Sequence, residues 1–255
     1  QHKIENNIIR DTRHAITFEG GGSGNAILYN YMDDNWESEI ELPTTRNSRF
    51  LSEDAVANHG AHPYMNLWEG NFSADFWGDY TQGSSSHNTA FRNYFQCKNT
   101  NLELSTSIEP STSIFSWVCI EIEKYNRYYN LVGNVIGYPA LTGGTLLCNS
   151  NPTSCYGDPP EIGRLPVIYR FGFDGTVGSY SDSEAFRTAI IHGNFDYVTG
   201  KVADWQKGVP HTLPNSLYYD SKPAFFGSLA WPPFGSDLSP MVGVLPAKDR
   251  YDKGL

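Results

Sequence analysis

The feature that most constrains this chain is a short phrase repeated along it: an apolar residue, two variable residues, an Asn, then more apolar or aromatic residues. It reads Ile4-Glu-Asn-Asn7-Ile-Ile9, Ile27-Leu-Tyr-Asn30-Tyr-Met32, Trp68-Glu-Gly-Asn71-Phe72, Ala90-Phe-Arg-Asn93-Tyr-Phe95, Leu131-Val-Gly-Asn134-Val-Ile136 and Ile191-His-Gly-Asn194-Phe195. Successive Asn residues of the phrase lie 23, 41, 22, 41 and 60 positions apart. These gaps are close to multiples of about 20 residues, and a fixed period of that size marks a repeat architecture. A unit that short has no room for a strand and a covering helix, and its short apolar runs show no helical period. It suits one coil of an all-β parallel β-helix, in which short strands pair with their counterparts one coil on, about 4.8 Å away. An Asn at the same turn of each coil has two physical reasons to be there: it tolerates the left-handed backbone, and its amide hydrogen-bonds the amides above and below. Asn7, Asn30, Asn71, Asn93, Asn134 and Asn194 are therefore expected to stack in one column.

Coils are expected over residues 1–205. Residues 206–255, with several prolines and the aromatics Phe225, Phe226, Trp231 and Phe234, read as an extended C-terminal tail packed along the flank or over the end of the stack. Strands are predicted at Ile16–Phe18, Ala26–Met32, Met65–Trp68, Ala74–Trp77, Thr89–Phe95, Trp117–Glu123, Val167–Phe173 and Thr188–Tyr197. Residues 33–58, 98–113 and 138–166 are polar or Pro-rich and read as long loop excursions, where a rigid scaffold often carries function. Gln1–Ile9 is already a full phrase, and an open end exposes unpaired backbone and an apolar cross-section. The first coil is therefore expected to be covered by another subunit through self-association, by a returning loop such as 33–58, or by residues removed in processing.

The segments IENNIIRDTRHAITFEGGGSGNAILYNY, GAHPYMNLWEGN, GSSSHNTAFRN and LPNSLYYDSKPAFFGSLAWPPFG resemble the right-handed parallel β-helix proteins of the pectate-lyase-like superfamily, in particular an extracellular bacterial group. The resemblance covers most of the chain. It implies a right-handed solenoid and a polysaccharide or cell-surface glycan as partner. The superfamily hosts lyases, glycoside hydrolases, tailspikes and adhesins, so two functions stand side by side. One is binding, with or without cleavage, of a polysaccharide along a lateral groove; the other is a structural or adhesive surface, filament or tailspike-like module.

The formal net charge of −10 argues against nucleic acid and against an anionic membrane surface as partners. No apolar run reaches the roughly 20 residues of a membrane span, and the N-terminus lacks the charged, apolar and small-residue series of a signal peptide. Cys148 and Cys155 bracket a short polar loop, which a disulfide would pin. Cys97 and Cys119 flank a Ser/Thr-rich insertion; they either close its base or remain two core thiols. Bridged pairs imply an oxidising, extracellular setting.

Carboxylates form the first candidate site. Asp33, Asp34 and Asp79 are read as oxygen ligands of Ca²⁺, which would bridge a chain of this charge to an acidic sugar. In lyases of the fold that the chain resembles, Ca²⁺ acidifies a proton that Lys or Arg removes. That likeness makes Asp75, Glu69 and Arg92 the catalytic set, with Arg13 and Lys98 as other available bases. The full motif set of polygalacturonases is absent. His59 and His62 match no metal-ligand spacing, and Ser84 to Ser86 beside His87 form a nucleophilic triad only if geometry provides one. Trp36, Trp77, Tyr80 and His87 are expected to bind substrate by stacking on sugar faces, while Tyr125, Tyr128 and Tyr129 divide between core and surface. Asn71-Phe-Ser73 is formally a glycosylation sequon, unreachable if Asn71 belongs to the column.

Overall fold

A computed structural model describes residues 1–38, 49–51, 54–98, 118–141, 144–148, 167–175, 180–203, 205–206 and 208–255 of the chain. The chain runs in rounds of short strands. The first round is β1 (Lys3–Glu5), β2 (Ile8–Arg10) and β3 (Ile16–Thr17). In the second, β4 (Ala26–Leu28) and β5 (Tyr31–Asp33) precede an antiparallel hairpin, β6 (Trp36–Ser38) with β7 (Arg49–Leu51), and then β8 (Ala55–Asn58). The third is β9 (Leu67–Glu69), β10 (Phe72–Ser73) and β11 (Phe76–Gly78); the fourth is β12 (Thr89–Phe91), β13 (Tyr94–Phe95) and β14 (Val118–Ile122). The fifth holds β15 (Asn130–Val132), β16 (Val135–Ile136), β17 (Thr145–Cys148) and β18 (Val167–Phe171). Helix α1 (Ser183–Arg187) leads to the sixth, β19 (Ile190–His192), β20 (Asn194–Asp196) and β21 (Lys201–Ala203).

Strands one round apart pair in parallel, which gives three sheets. Sheet A runs β1-β4-β9-β12-β15-β19, and sheet B runs β2-β5-β10-β13-β16-β20 with β21 added antiparallel. Sheet C runs β3-β8-β11-β14-β18-β17. Alternation decides what each strand buries. Ile27, Trp68 and Leu131 of sheet A, Met32, Phe95 and Ile136 of sheet B, and Phe76, Ile120 and Phe171 of sheet C meet in one core.

The expected Asn column exists, at the turn between sheets A and B. Side-chain amides link Asn7 to Asn30 at 2.9 Å, Asn30 to Asn71 at 3.1 Å, Asn71 to Asn93 at 3.0 Å, Asn93 to Asn134 at 3.0 Å and Asn134 to Asn194 at 2.9 Å. Each acceptor Oδ1 also takes the backbone N–H of the preceding Asn in the column. The left-handed residue, however, is the one before the Asn: Asn6, Tyr29, Gly70, Arg92, Gly133 and Gly193 have φ between 51° and 66°. The chain turns at that residue and the Asn serves the stack alone. The same turn splits the predicted strands Ala26–Met32, Thr89–Phe95 and Thr188–Tyr197 into two each. A second correction concerns residues 55–58, read as loop; they are a buried wall strand, in which Ala55 and Ala57 face the core.

Residues 34–54 and 96–117 each fall between a sheet B strand and the next sheet C strand, the first and second excursions from the rounds. Residues 138–166, expected to lie outside the coils as one loop, instead hold a strand of sheet C, β17, which pairs in parallel with β18. Cys97 is bonded to Cys119, with Cα atoms 4.8 Å apart, and this disulfide closes the base of the second excursion. The expected Cys148–Cys155 bridge lies outside the described residues.

The tail follows the flank. Tyr31, Phe72, Tyr94 and Val135 occupy one register position on sheet B and present an apolar stripe on its outer face. Phe226, Phe234, Leu245 and Ala247 pack on it, so the tail covers apolar surface that the strands cannot bury themselves. Helix α2 (Pro246–Asp252) ends beside the first round, where Arg250 donates to the side chain and carbonyl of Asn6. Ile4, Ile9, Ala15 and Phe18 of that round are half-buried. Among the described residues, no helix is long and apolar enough to cross a membrane.

Candidate binding surface

The sheets distribute the sequence-predicted site residues over three separate turns. Glu69 and Arg92 lie at the turn from A to B, one at the end of β9 and the other just past β12. Both are buried. The Glu69 carboxylate accepts from the Tyr29 hydroxyl at 2.7 Å, the Leu217 N–H at 2.8 Å and the Ser216 hydroxyl. Burial holds its carboxyl above the usual range, against the lowering influence of those donors and of Arg92. Arg92, also buried, forms a two-pronged pair with Asp237 at 2.7 and 2.8 Å and donates to the Pro214 carbonyl at 2.8 Å. Both residues therefore bind the tail. Gly70 completes this turn: a Cβ there would lie 2.3 Å from the Tyr29 ring.

Asp33, Asp34 and Asp75 lie at the turn from B to C and are buried. Asp33 accepts the Tyr31 hydroxyl at 2.7 Å and the Asp34 N–H at 2.9 Å, and Asp34 pairs with Arg10. Asp75 accepts the N–H of Asp54 at 2.9 Å, one round earlier. Asp79 is at the third turn. Its carboxylate meets His59 Nδ1 at 2.7 Å. The expected Ca²⁺ ligands thus do not share a site, and each already has protein donors. Among the described residues, no group of three or more His, Cys, Asp or Glu is placed to hold a metal ion. The catalytic set is divided in the same way, with Asp75 on a different turn from Glu69 and Arg92.

The turn from C to A does bring predicted residues together. It carries a second Asn ladder that the sequence reading passed over: Asn25 to Asn66 at 3.0 Å and Asn66 to Asn88 at 3.2 Å, ending on the Tyr129 hydroxyl at 3.1 Å. The signal was available, because Asn25, Asn66 and Asn88 each precede a column Asn by five positions. Here too the preceding residue is left-handed, at Gly24, Met65, His87 and Tyr128. Ser85 is buried and bonded to Asn58, Asn126 and Tyr129, so it forms no triad with His87. Asn71 is buried in the first ladder, and the sequon is closed.

The side chains of Met65, His87 and Tyr128 point outward in one column, a round apart. His87 stacks on Tyr128 with ring centroids 4.8 Å apart and planes 22° from parallel. Met65 is 63% exposed and Tyr128 51%. Among the described residues of the strand rounds, the exposed large apolar side chains are Tyr64, Met65, Tyr125, Tyr128 and Ile190; the first four belong to this turn and Ile190 opens β19 directly after it. Tyr80 extends the surface: Lys124 Nζ sits 4.2 Å from its ring centroid and 5.6 Å from that of Tyr125. Trp77, on the outer face of sheet C, packs 6.1 Å from His59. Trp36 lies on β6, and its side chain is outside the described residues. Beneath Tyr80, Glu123 accepts its N–H at 2.9 Å; burial, then the neighbouring Glu121, push the Glu123 carboxyl up to about 10. Glu121 in turn is held by Arg170 at 2.6 and 2.7 Å.

No known protein family, curated protein or solved structure matches the chain. The surface therefore has to be interpreted from its own geometry.

Proposed function

We propose that the chain is a right-handed parallel β-helix protein of the pectate-lyase-like kind, that it works outside the cell, and that it binds an extended polysaccharide on the ridge formed by the C-to-A turn. One observation carries this reading. A left-handed backbone costs a non-glycine residue about 1 kcal/mol or more, and at Met65, His87 and Tyr128 the chain accepts that cost for bulky side chains turned to water. Where Tyr29 and Arg92 accept it at the other turn, their side chains hold the tail, Tyr29 through Trp231 and Arg92 through Asp237. The ridge residues have no such internal function, and flat rings on a rigid edge suit stacking on sugar faces. The Cys97–Cys119 bridge supports an oxidising compartment. Cleavage is left out of this reading, because Glu69 and Arg92 anchor the tail.

Affinity electrophoresis in gels containing soluble β-glucan, xylan or galacturonan tests the proposal. One of these polysaccharides is expected to retard the protein, and Tyr128→Ala to weaken retardation about tenfold while leaving the melting temperature in place. Absence of retardation by every glycan would discard it.

A structural or adhesive module is the second reading, favoured by Met65 and Ile190. These do not stack on sugars, whereas Tyr, Met and Arg are enriched where proteins meet.

A further inference from the structure

The ridge is unequally supported along its length. Rounds two to four make their C-to-A turn with coil alone, but before the sixth round the chain inserts α1. Gly172 shows how closely this insertion is pressed on the stack: a Cβ there would lie 2.2 Å from the Asp182 carbonyl oxygen, and its φ of 72° is glycine's own region. Asp182, largely buried at the N-terminal end of α1, is the point where helix and ridge meet. Its Oδ1 accepts the Glu184 N–H at 3.1 Å. Its Oδ2 accepts the Tyr125 N–H at 2.6 Å and meets Arg127 Nη1 at 2.5 Å. Burial works against a charged carboxyl here, yet the donors from Tyr125 and Arg127 hold it below the usual range. At the other end of α1, Thr188 Oγ1 accepts the Tyr128 N–H at 3.1 Å and donates to the Glu184 carbonyl at 2.7 Å.

We infer that Asp182 is a positioning residue for the ridge: it holds Tyr125 and Arg127 directly, and α1, whose N-terminal end it caps, is the buttress that holds Tyr128 through Thr188. The inference rests on the reading of the ridge as a binding surface. Two of the residues held in this way, Tyr125 and Tyr128, have left-handed backbones with φ of 69° and 57°. A backbone in that region stays there only when its surroundings over-determine it. Asp182 and Thr188 supply that determination from outside the turn. Arg127 passes it on, since its carbonyl accepts the His87 N–H at 3.1 Å, in the round before. The stacked pair His87 and Tyr128 is thereby fixed from both partners' backbones.

The stack provides a readout that a purely structural role would not move. The His87 ring proton lies in the ring current of Tyr128, so its proton resonance, assigned with His87→Gln, reports the stack in the whole protein without any ligand. Asp182→Ala is expected to move that resonance toward its position in Tyr128→Ala, and to weaken retardation by the retarding polysaccharide about tenfold. Asp182→Asn keeps an oxygen acceptor for the Tyr125 N–H and should stay within about threefold of the parent in binding. An unmoved His87 resonance in Asp182→Ala overturns the inference. A moved resonance in a protein that no glycan retards upholds the buttress and removes the ridge reading instead. Should Asp182→Ala fail to fold, Thr188→Val removes the acceptor for the Tyr128 N–H, together with the hydroxyl bond to the Glu184 carbonyl inside α1. A His87 resonance unmoved in that variant overturns the inference equally.

Discussion

The turn from sheet A to sheet B and the turn from C to A are built alike and used differently. Both place a left-handed residue directly before an Asn, and both run the Asn amides into a ladder along the stack. At the A-to-B turn the left-handed positions carrying large side chains are Tyr29 and Arg92, and the tail covers both. At the C-to-A turn the ones that directly precede the ladder residues Asn66, Asn88 and Tyr129 are Met65, His87 and Tyr128, all turned outward, and His62 and Tyr125 are left-handed and exposed there as well. The backbone device is thus neutral as to function. What distinguishes an anchor from a binding surface is whether another part of the chain comes to rest on it.

The largest effect should come from breaking the shared device. Asn71→Ala removes the acceptor for the backbone N–H and side-chain amide of Asn30, and leaves the Ile27 carbonyl without its donor. Unsatisfied buried groups make this cost about 3 kcal/mol, read as a lower urea midpoint at unchanged m-value. Asn66→Ala strips the equivalent bonds from Asn25 and Gly22 and should cost a similar amount. If it cost less than half as much, the two turns would not be equivalent.

Next comes the anchor. Arg92→Ala leaves Asp237 and the Pro214 carbonyl without their cation and should destabilise the fold by about 2 kcal/mol, with proteolytic nicking inside residues 206–255. Arg92→Gly, which relieves the left-handed strain, should recover about 1 kcal/mol of that loss. The tail should stay equally open to protease.

Acid–base behaviour offers a third contrast. Glu123 has a folded-state value near 10 against about 4.5 unfolded, so its contribution is complete below the unfolded value and is lost as pH rises toward the folded one. Urea unfolding of the parent should therefore weaken relative to Glu123→Gln as pH rises above about 5. Glu69 is shifted in the same direction, so Glu69→Gln should flatten the profile in the same sense. A variant profile parallel to the parent's would show that these carboxyls stay charged.

The smallest effect on stability belongs to the exposed column. Tyr128→Gly and Met65→Gly relieve strain and uncover no core, so each should change stability by less than about 1 kcal/mol. A loss of several kcal/mol would show that the column is structural and that no external partner is needed to explain it.

Much of the scaffold was legible because its physics is local and periodic. An Asn must recur at the same turn if its amide is to meet the next, and the six phrases announced that spacing. The second ladder was equally periodic but hidden, since its Asn residues sit before Leu67 and Thr89 in phrases of less obvious form. The site was another matter. Glu69 and Arg92 look alike as anchors or as catalysts in a one-dimensional chain, and only the arrival of Ser216, Leu217 and Asp237, more than 140 positions on, decides between them. Repeating backbone geometry and the existence of a core were determined by the sequence itself, because hydrogen bonds between adjacent rounds and the alternation of side chains act over one period. Which acidic groups are buried, which turn is covered and which is left open were decided by the tertiary structure, because a tail folding back across the rounds follows no period that the rounds themselves contain.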